Sequence, residues 1–459
     1  MRYRKAEGSE GRLADLARSR IHDRFQSVGP RALRGGIVCA FERNIAEQSV
    51  LLATRSQILS AVALIELDGR ARRIVVAPPD IRIEHIGHIV ADAGIDCIVT
   101  DQPEHFAGIG RATVLSIGLH EAAQPAPYQY DVNTEWVLLT SGTSGRPKMV
   151  VHSLSSLTGA IPRRPDKGSQ DVWSTFYDIR RFGGLQIFLR AVLGGSDLVL
   201  TGPDEHIDQQ LLRLAKAGVT SISGTPSHWR RVLMSQNRRC FAPSYIRLSG
   251  EISDQMLLDS LKSAFPNARV SHAYASTEAG VGFAVDDGRE GFPAALVGEP
   301  LDGVEMKVVD GGLHIRSSRT ATRYVASSAA PLVDTDGFVD TSDLVERRGD
   351  RYFFIGRRNG IINVGGLKVS PEEVETVLNG HAAVQVSRVV GRRNAVTGAI
   401  IVADVVPRAA SMDEDTLRRE IMAHCQQRLE RHKTPAVIRF VDSLGLSAAG
   451  KLKREAVAD

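Results

Sequence analysis

Cysteine and aromatic residues are scarce in this chain, with 4 Cys and 5% Phe, Trp and Tyr among 459 residues. Cys39, Cys97, Cys240 and Cys425 stand far apart, without the paired spacings that zinc sites and thiol redox motifs need. They are expected to be buried free thiols in a reducing cytoplasm. Long apolar runs are missing as well: no uninterrupted stretch reaches the roughly 18 residues of a membrane span. The opening MRYRKAEGSEGRLADLARSR is polar throughout and lacks the apolar core of a secretory signal, so a cytoplasmic location is expected. Nor does one sign of charge dominate. Against 57 Lys and Arg stand 53 Asp and Glu, a formal net charge of +4, too even for nucleic-acid binding and suited to an anionic small molecule.

What is present is an ordinary globular composition, 43% hydrophobic and 24% charged, on a chain long enough for about two to four cores. From Ala61 to Thr100, helical stretches alternate with short apolar runs such as Ile74 to Val76 and Cys97 to Val99, broken by Pro78-Pro79-Asp80. That rhythm predicts an α/β layer. A second cycle places a buried strand at Trp136 to Leu139, a helix over Asp208 to Ala217 carrying Leu211, Leu212, Leu214 and Ala215, and strands at Val219 to Ile222 and Tyr245 to Leu248. A helix from Asp254 to Phe265 follows. The fold class is therefore α/β, a large N-terminal domain with doubly wound sheets. After Gly356-Arg357-Arg358-Asn359-Gly360 the pattern changes to a small α+β C-terminal domain. It has a helix start at Ser370-Pro371, a hairpin over Val386 to Val390 and Ala399 to Val406, and a helix over Asp413 to Arg431 with Cys425 on its apolar face. The expected division is 1–357 and 358–459.

The strongest chemical signal is Thr140-Ser141-Gly142-Thr143-Ser144-Gly145-Arg146-Pro147-Lys148, directly after the predicted buried strand. Small hydroxyl residues and glycines let N–H and O–H groups converge on an anion, and Lys148 adds a point charge. A solvated surface turn is the plain alternative. Its place at a strand end, where open α/β sheets bind ligands, favours a phosphate cradle, although GxxxxGK[ST] is absent.

This segment resembles the phosphate loop of the acyl-adenylate-forming enzymes, the superfamily of acyl-CoA synthetases, peptide-synthetase adenylation domains and luciferases. Further pieces follow in family order: Tyr274-Ala275-Ser276-Thr277-Glu278 resembles the aromatic-x-x-Thr-Glu motif, and Asp340-Thr341-Ser342-Asp343-Leu344 the Thr-Gly-Asp motif. GRRNGIINVGGLKVSPEEVE resembles the hinge and glycine loop, and SAAGKLKRE the C-terminal Gly-Lys-x-x-Arg motif.

The resemblance implies an ATP-dependent carboxylic acid ligase, most like an acyl-CoA synthetase, requiring ATP, Mg²⁺ and CoA. In it Tyr274 stacks on adenine, Thr277 bonds the α-phosphate, Glu278 holds Mg²⁺, and Asp343 takes the ribose hydroxyls with Arg357 adding a donor. Lys451, set by Gly450, bridges the acid and the α-phosphate from a mobile C-terminal domain hinged at Asn359. Gly365 and Gly366 line the thiol channel. One ion pair at 4 Å with an effective dielectric near 20 contributes about 4 kcal/mol, roughly a thousandfold in rate if made only in the transition state. The thiol partner is CoA or an acyl carrier protein, and a non-catalytic nucleotide-binding protein of the same fold is the alternative from another class.

Departures from the pattern are Ser342 for glycine, Asn359 for a charged hinge residue, Gly445 for proline, and Ala448-Ala449 for a hydroxyl residue. The first 60 residues match nothing in the family. Around Phe176 to Leu185, the resemblance aligns the run FYDIRRFGGL so that Arg181, not Asp178, stands near the acid pocket wall; the plain alternative is that Arg180 and Arg181 face solvent or the phosphates. The small Gly250, Ala273, Ala275 and Gly282 suit a bulky or aryl acid.

Overall fold

The computed structural model describes residues 13, 18–33, 45, 47–119, 132–140, 146–162, 171–202, 204–325, 331–394, 397–408, 413–447 and 450–452, without the side chains of 31 and 32. They fall into two compact units: residues 1–223, 275–282 and 318–332 form one, and 224–274, 283–317 and 333–459 the other.

The first unit holds two sheets. A seven-stranded sheet runs Arg323–Tyr324, Lys148–His152, Glu135–Thr140, Arg73–Val76, Ser49–Leu52, Cys97–Thr100, Thr113–Ser116. From Glu135–Thr140 onward every pair is parallel, and the first two pairs are antiparallel. Buried on both faces, parallel strands read as near-continuous apolar runs, which is why RIVV and CIVT stood out in sequence. The helices Gln57–Leu67 and Ile83–Ala93 connect them, and Leu51, Val75, Ile86, Ile89, Ile98 and Val137 share one core.

The second sheet of this unit orders Ser221–Gly224, Val172–Thr175, Asp197–Leu200, Ile21–His22 and Ser27–Val28, parallel except for the last pair. Its helices are Phe182–Gly194 and Ile207–Lys216. On the latter Leu211 and Leu214 are buried, whereas Leu212 faces solvent, since it lies off the 3.6-residue stripe that the other two share.

In the second unit, Tyr245–Ser249 and Arg269–Ser276 pair in parallel, with helices Pro226–Met234 and Gln255–Ala264. A five-stranded antiparallel sheet follows: Phe292–Pro293, Arg351–Arg357, Val339–Arg348, Gly312–Ser317, Val304–Val309. The α+β portion comprises the hairpin Ile362–Val364 with Leu367–Val369, helix Pro371–Asn379, the hairpin Val384–Asn394 with Gly398–Pro407, helix Glu414–Arg428, and strand Val437–Phe440. Pro371 does open its helix, but the Ser370 hydroxyl bonds Glu372 at 2.9 Å and leaves the helix without a side-chain cap. Cys425 sits in the core with Val374, Leu378, Leu417 and Ile421.

The thiols divide. Cys97 and Cys425 are buried, and burial pushes their pKa up to about 12 and about 11. Cys240, expected to be buried, is exposed because it ends the short 3₁₀ turn Gln236–Cys240, none of whose residues enters the core. Cys39 lies outside the described residues.

Candidate active site

Thr140 and Lys148 are register partners across the antiparallel strands Glu135–Thr140 and Lys148–His152, so the loop between them springs from one sheet edge. Its residues Ser141, Gly142, Thr143, Ser144 and Gly145 lie outside the described residues. The Thr140 hydroxyl is buried and has no hydrogen-bond partner among the described residues, an acceptor and donor held ready at the strand end. Lys148 is exposed, its Nζ 5.5 Å from the centre of the Tyr324 ring on the neighbouring strand. Tyr324 is pushed up to about 12, first by burial and then by the negative charge of Glu278. Lys148, Tyr324 and Glu278 are thus grouped electrostatically within the first unit.

Thr277 and Glu278 occupy a turn between Arg269–Ser276 and Gly280–Val285. The turn is pinned three ways. Ala279 N–H donates to the Ser276 hydroxyl at 3.0 Å, Ala321 N–H donates to the Glu278 carbonyl at 2.9 Å, and His152 Nε2 donates to the Thr277 carbonyl at 2.7 Å. Since a carbonyl only accepts, His152 carries its proton on Nε2 and presents Nδ1 to the Ser156 hydroxyl at 2.9 Å. Burial lowers this imidazole to about 4, keeping it neutral. At Gly280 (φ 74°) an added Cβ would collide with the Arg319 carbonyl, which closes the turn.

In the second unit, strand pairing sets Asp343 opposite Arg357. Arg357 Nε donates to one carboxylate oxygen at 2.7 Å, and the Tyr274 hydroxyl donates to the other at 2.6 Å. Burial and the Asp343 charge hold the Tyr274 phenol well above its usual range. The Tyr274 ring stacks on Phe354 (centroids 5.2 Å, 9° between planes) and on Phe283 (5.7 Å, 18°). Ser342, where the motif carries glycine, has φ 59°, the left-handed conformation that glycine adopts without strain. That accounts for the glycine preference that composition alone could not explain.

Gly365 and Gly366, at φ 60° and 88°, make the two-residue turn between Ile362–Val364 and Leu367–Val369, and the Asn363 side chain accepts from Gly366 N–H at 2.9 Å. Beside it opens a cleft lined by Ile362, Asn363, Gly391, Thr397 and Gly398. Lys451 is exposed on a tight turn that Ser447 closes, with Ser447 N–H to the Lys451 carbonyl at 2.6 Å and Gly450 N–H to the Ser447 carbonyl at 2.8 Å. Ala448 and Ala449 are outside the described residues.

The arginines of FYDIRRFGGL part company. Arg180 is buried, held by Asp178 at 2.5 Å and by the carbonyls of Thr54 and Arg55. Arg181 pairs with Asp80, and its buried Nε has no partner among the described residues. His152 and Tyr324 went unnoticed in sequence, because each acts on a residue far away in the chain.

Among the described residues no three His, Cys, Asp or Glu side chains gather to hold a metal. A lone carboxylate such as Glu278 fits Mg²⁺, which keeps its waters and takes further oxygens from substrate phosphates.

Strand ends bearing hydroxyl, ammonium and carboxylate groups define a nucleotide-handling α/β enzyme. Residues 70–317 match the AMP-binding enzyme profile and 373–451 that of the AMP-binding enzyme C-terminal domain, so the chain belongs to the AMP-binding enzyme family. It is 28% identical over 347 residues to the 2-succinylbenzoate–CoA ligase of Salmonella typhimurium, covering 74% of this chain and 72% of that one. It shares its fold with a benzoate CoA ligase from Burkholderia xenovorans (TM-score 0.79, 20% identity, 97% and 99% of the two chains covered). The same holds for the o-succinylbenzoate CoA synthetase of Bacillus subtilis solved with its acyl-adenylate intermediate (TM-score 0.73, 20% identity, 96% of each chain). No helix among the described residues is long and apolar enough to cross a membrane.

Proposed function

We propose that the chain joins a carboxylic acid to CoA in two half-reactions. A carboxylate oxygen attacks the α-phosphorus of ATP and the bond to pyrophosphate breaks, giving an acyl-adenylate. A thiol sulfur then attacks the acyl carbon, its proton passes to solvent, and the acyl C–O bond of the mixed anhydride breaks so that AMP leaves with the bridging oxygen. The grouping of Lys148, Glu278 and the Thr140 hydroxyl, which has no partner among the described residues, carries this reading, since it supplies a donor, a cation and a hard carboxylate for a polyphosphate.

In this reading Thr140, Ser141 to Gly145 and Lys148 hold the β- and γ-phosphates, and Thr277 donates to the α-phosphate. Glu278 would hold Mg²⁺, whose charge would offset that of the phosphates and of the pyrophosphate leaving group. Asp343 takes the ribose hydroxyls through the lone pairs that Tyr274 and Arg357 leave open, an ionised carboxylate having about four acceptor sites. Tyr274 borders the adenine. Lys451 neutralises the two anions that must meet. The lobes 1–357 and 358–459 turn about Asn359 between the half-reactions, bringing Gly365 and Gly366 to the acyl-adenylate for the thiol step. An aryl or other bulky acid is the favoured substrate class, given the small Gly250, Ala273, Ala275 and Gly282 and the aromatic acids named for the relatives.

Lys451→Ala is expected to lower acid-dependent ATP–pyrophosphate exchange by about a thousandfold while thioester formation from supplied acyl-adenylate continues. Equal loss of both half-reactions, or full exchange by the variant, overturns the assignment. AMP release with CoA alone, compared with a holo-carrier protein, identifies the thiol.

A further inference from the structure

The first turn of helix Pro226–Met234 meets the turn that carries Lys451, both within the second unit. Thr225 caps this helix, accepting from His228 N–H at 3.1 Å, and its hydroxyl donates to the Gly450 carbonyl at 2.7 Å. Thr225 N–H donates to His228 Nδ1 at 3.2 Å, which turns the imidazole edge toward Gly450. A Cβ at Gly450 would clash hard with His228 Cε1, and φ there is 72°, so two separate constraints demand glycine. Glu251 completes the contact. One carboxylate oxygen accepts Ser227 N–H at 2.9 Å from the helix start, and the other accepts Leu452 N–H at 3.0 Å. The peptide groups before and after Lys451 are therefore both tied to the same helix end, through neutral and charge-assisted bonds.

We infer that Thr225, His228 and Glu251 form a seat that fixes the Gly450–Lys451 turn for adenylate formation, and that they are positioning residues acting through Lys451. The inference rests on the proposed role of Lys451. A side chain with four rotatable bonds delivers its charge reliably only if its backbone is fixed, and here both flanking peptides are. The lobe rotation of the proposed cycle must break these three contacts, so the seat serves the first half-reaction and has no part in the second. None of the three residues belongs to a motif by which the sequence resembles its family; the seat is visible only where the distant segments meet.

The test compares His228→Ala, Glu251→Gln and Lys451→Ala with the parent chain in both half-reactions. Glu251→Gln offers one acceptor oxygen where two amides need acceptors, and it is isosteric, so it keeps the test open should His228→Ala fold poorly. Each seat variant is expected to lower pyrophosphate exchange by about ten- to a hundredfold, through kcat more than through the KM for ATP or acid, and to leave thioester formation from supplied acyl-adenylate within about twofold. On the Lys451→Ala background, His228→Ala should lower the residual exchange no further, whereas a general structural role would multiply the two losses. Parallel loss of both half-reactions, multiplicative loss in the double variant, or unchanged exchange in both seat variants overturns the seat. If Lys451→Ala itself leaves exchange intact, the assignment of the lysine fails, and that outcome is distinguishable from failure of the seat alone.

Discussion

At Asp343 two donors reach one carboxylate from different strands, and the Tyr274 hydroxyl bond at 2.6 Å fixes the oxygen proposed to face the ribose. Removing a hydrogen bond to a charged group costs about 1.5–3 kcal/mol. Tyr274→Phe keeps the stacked ring and is expected to raise the KM for ATP about tenfold or more in pyrophosphate exchange, with kcat little changed. Ser342 offers the opposite case. Its φ of 59° strains a residue with a Cβ, a cost of about 1–2 kcal/mol, partly offset because glycine frees the unfolded chain. Ser342→Gly is expected to raise stability by about 0.5–1 kcal/mol in urea titration without loss of exchange activity. The motif residues Asp343 and Glu278 could be picked out of the sequence because their chemistry is local and their spacing repeats. The partners Tyr274 and Arg357 were also motif members, but that both donate to one carboxylate emerges only from strand register.

Between elements, His152 is the tie that joins the strand Lys148–His152 to the Thr277 turn. Its imidazole titrates near 4 in the fold against an ordinary 6.5, with burial as the cause. Below pH 6.5 the unfolded chain binds a proton that the folded chain refuses, so this stabilisation is complete above 6.5 and is lost progressively as pH falls toward 4. His152→Gln keeps a donor for Thr277 and does not titrate. In urea titrations at pH 7 and pH 4.5 it should lose less unfolding free energy than the parent; parallel losses would assign the acid sensitivity elsewhere. Parallel strands such as Arg73–Val76 were readable because burial on both faces demands uninterrupted apolar side chains. The helix over Asp208 to Ala217 was placed within one residue, while the exposure of Leu212 was missed because three closely spaced leucines do not mark which side meets the sheet.

For the whole molecule, binding a non-hydrolysable acyl-adenylate analogue stabilises the folded chain by mass action, about 2.7 kcal/mol at a hundredfold excess over Kd. The unfolding midpoint in a thermal melt is expected to rise by several degrees with an aryl analogue, and less with AMP alone. Equal shifts from both would show that the acyl group finds no pocket.

The order and identity of the motifs already determined the α/β class and the family, because charge and backbone permissiveness are properties of residues and short spans. Tertiary structure alone decided which arginine of the pair at 180 and 181 is consumed in the core, why position 342 prefers glycine, and what grips the turn of Lys451. Those answers depend on contacts between segments as far apart as His228 and Gly450, and such contacts exist only once strand pairing has brought the segments into reach.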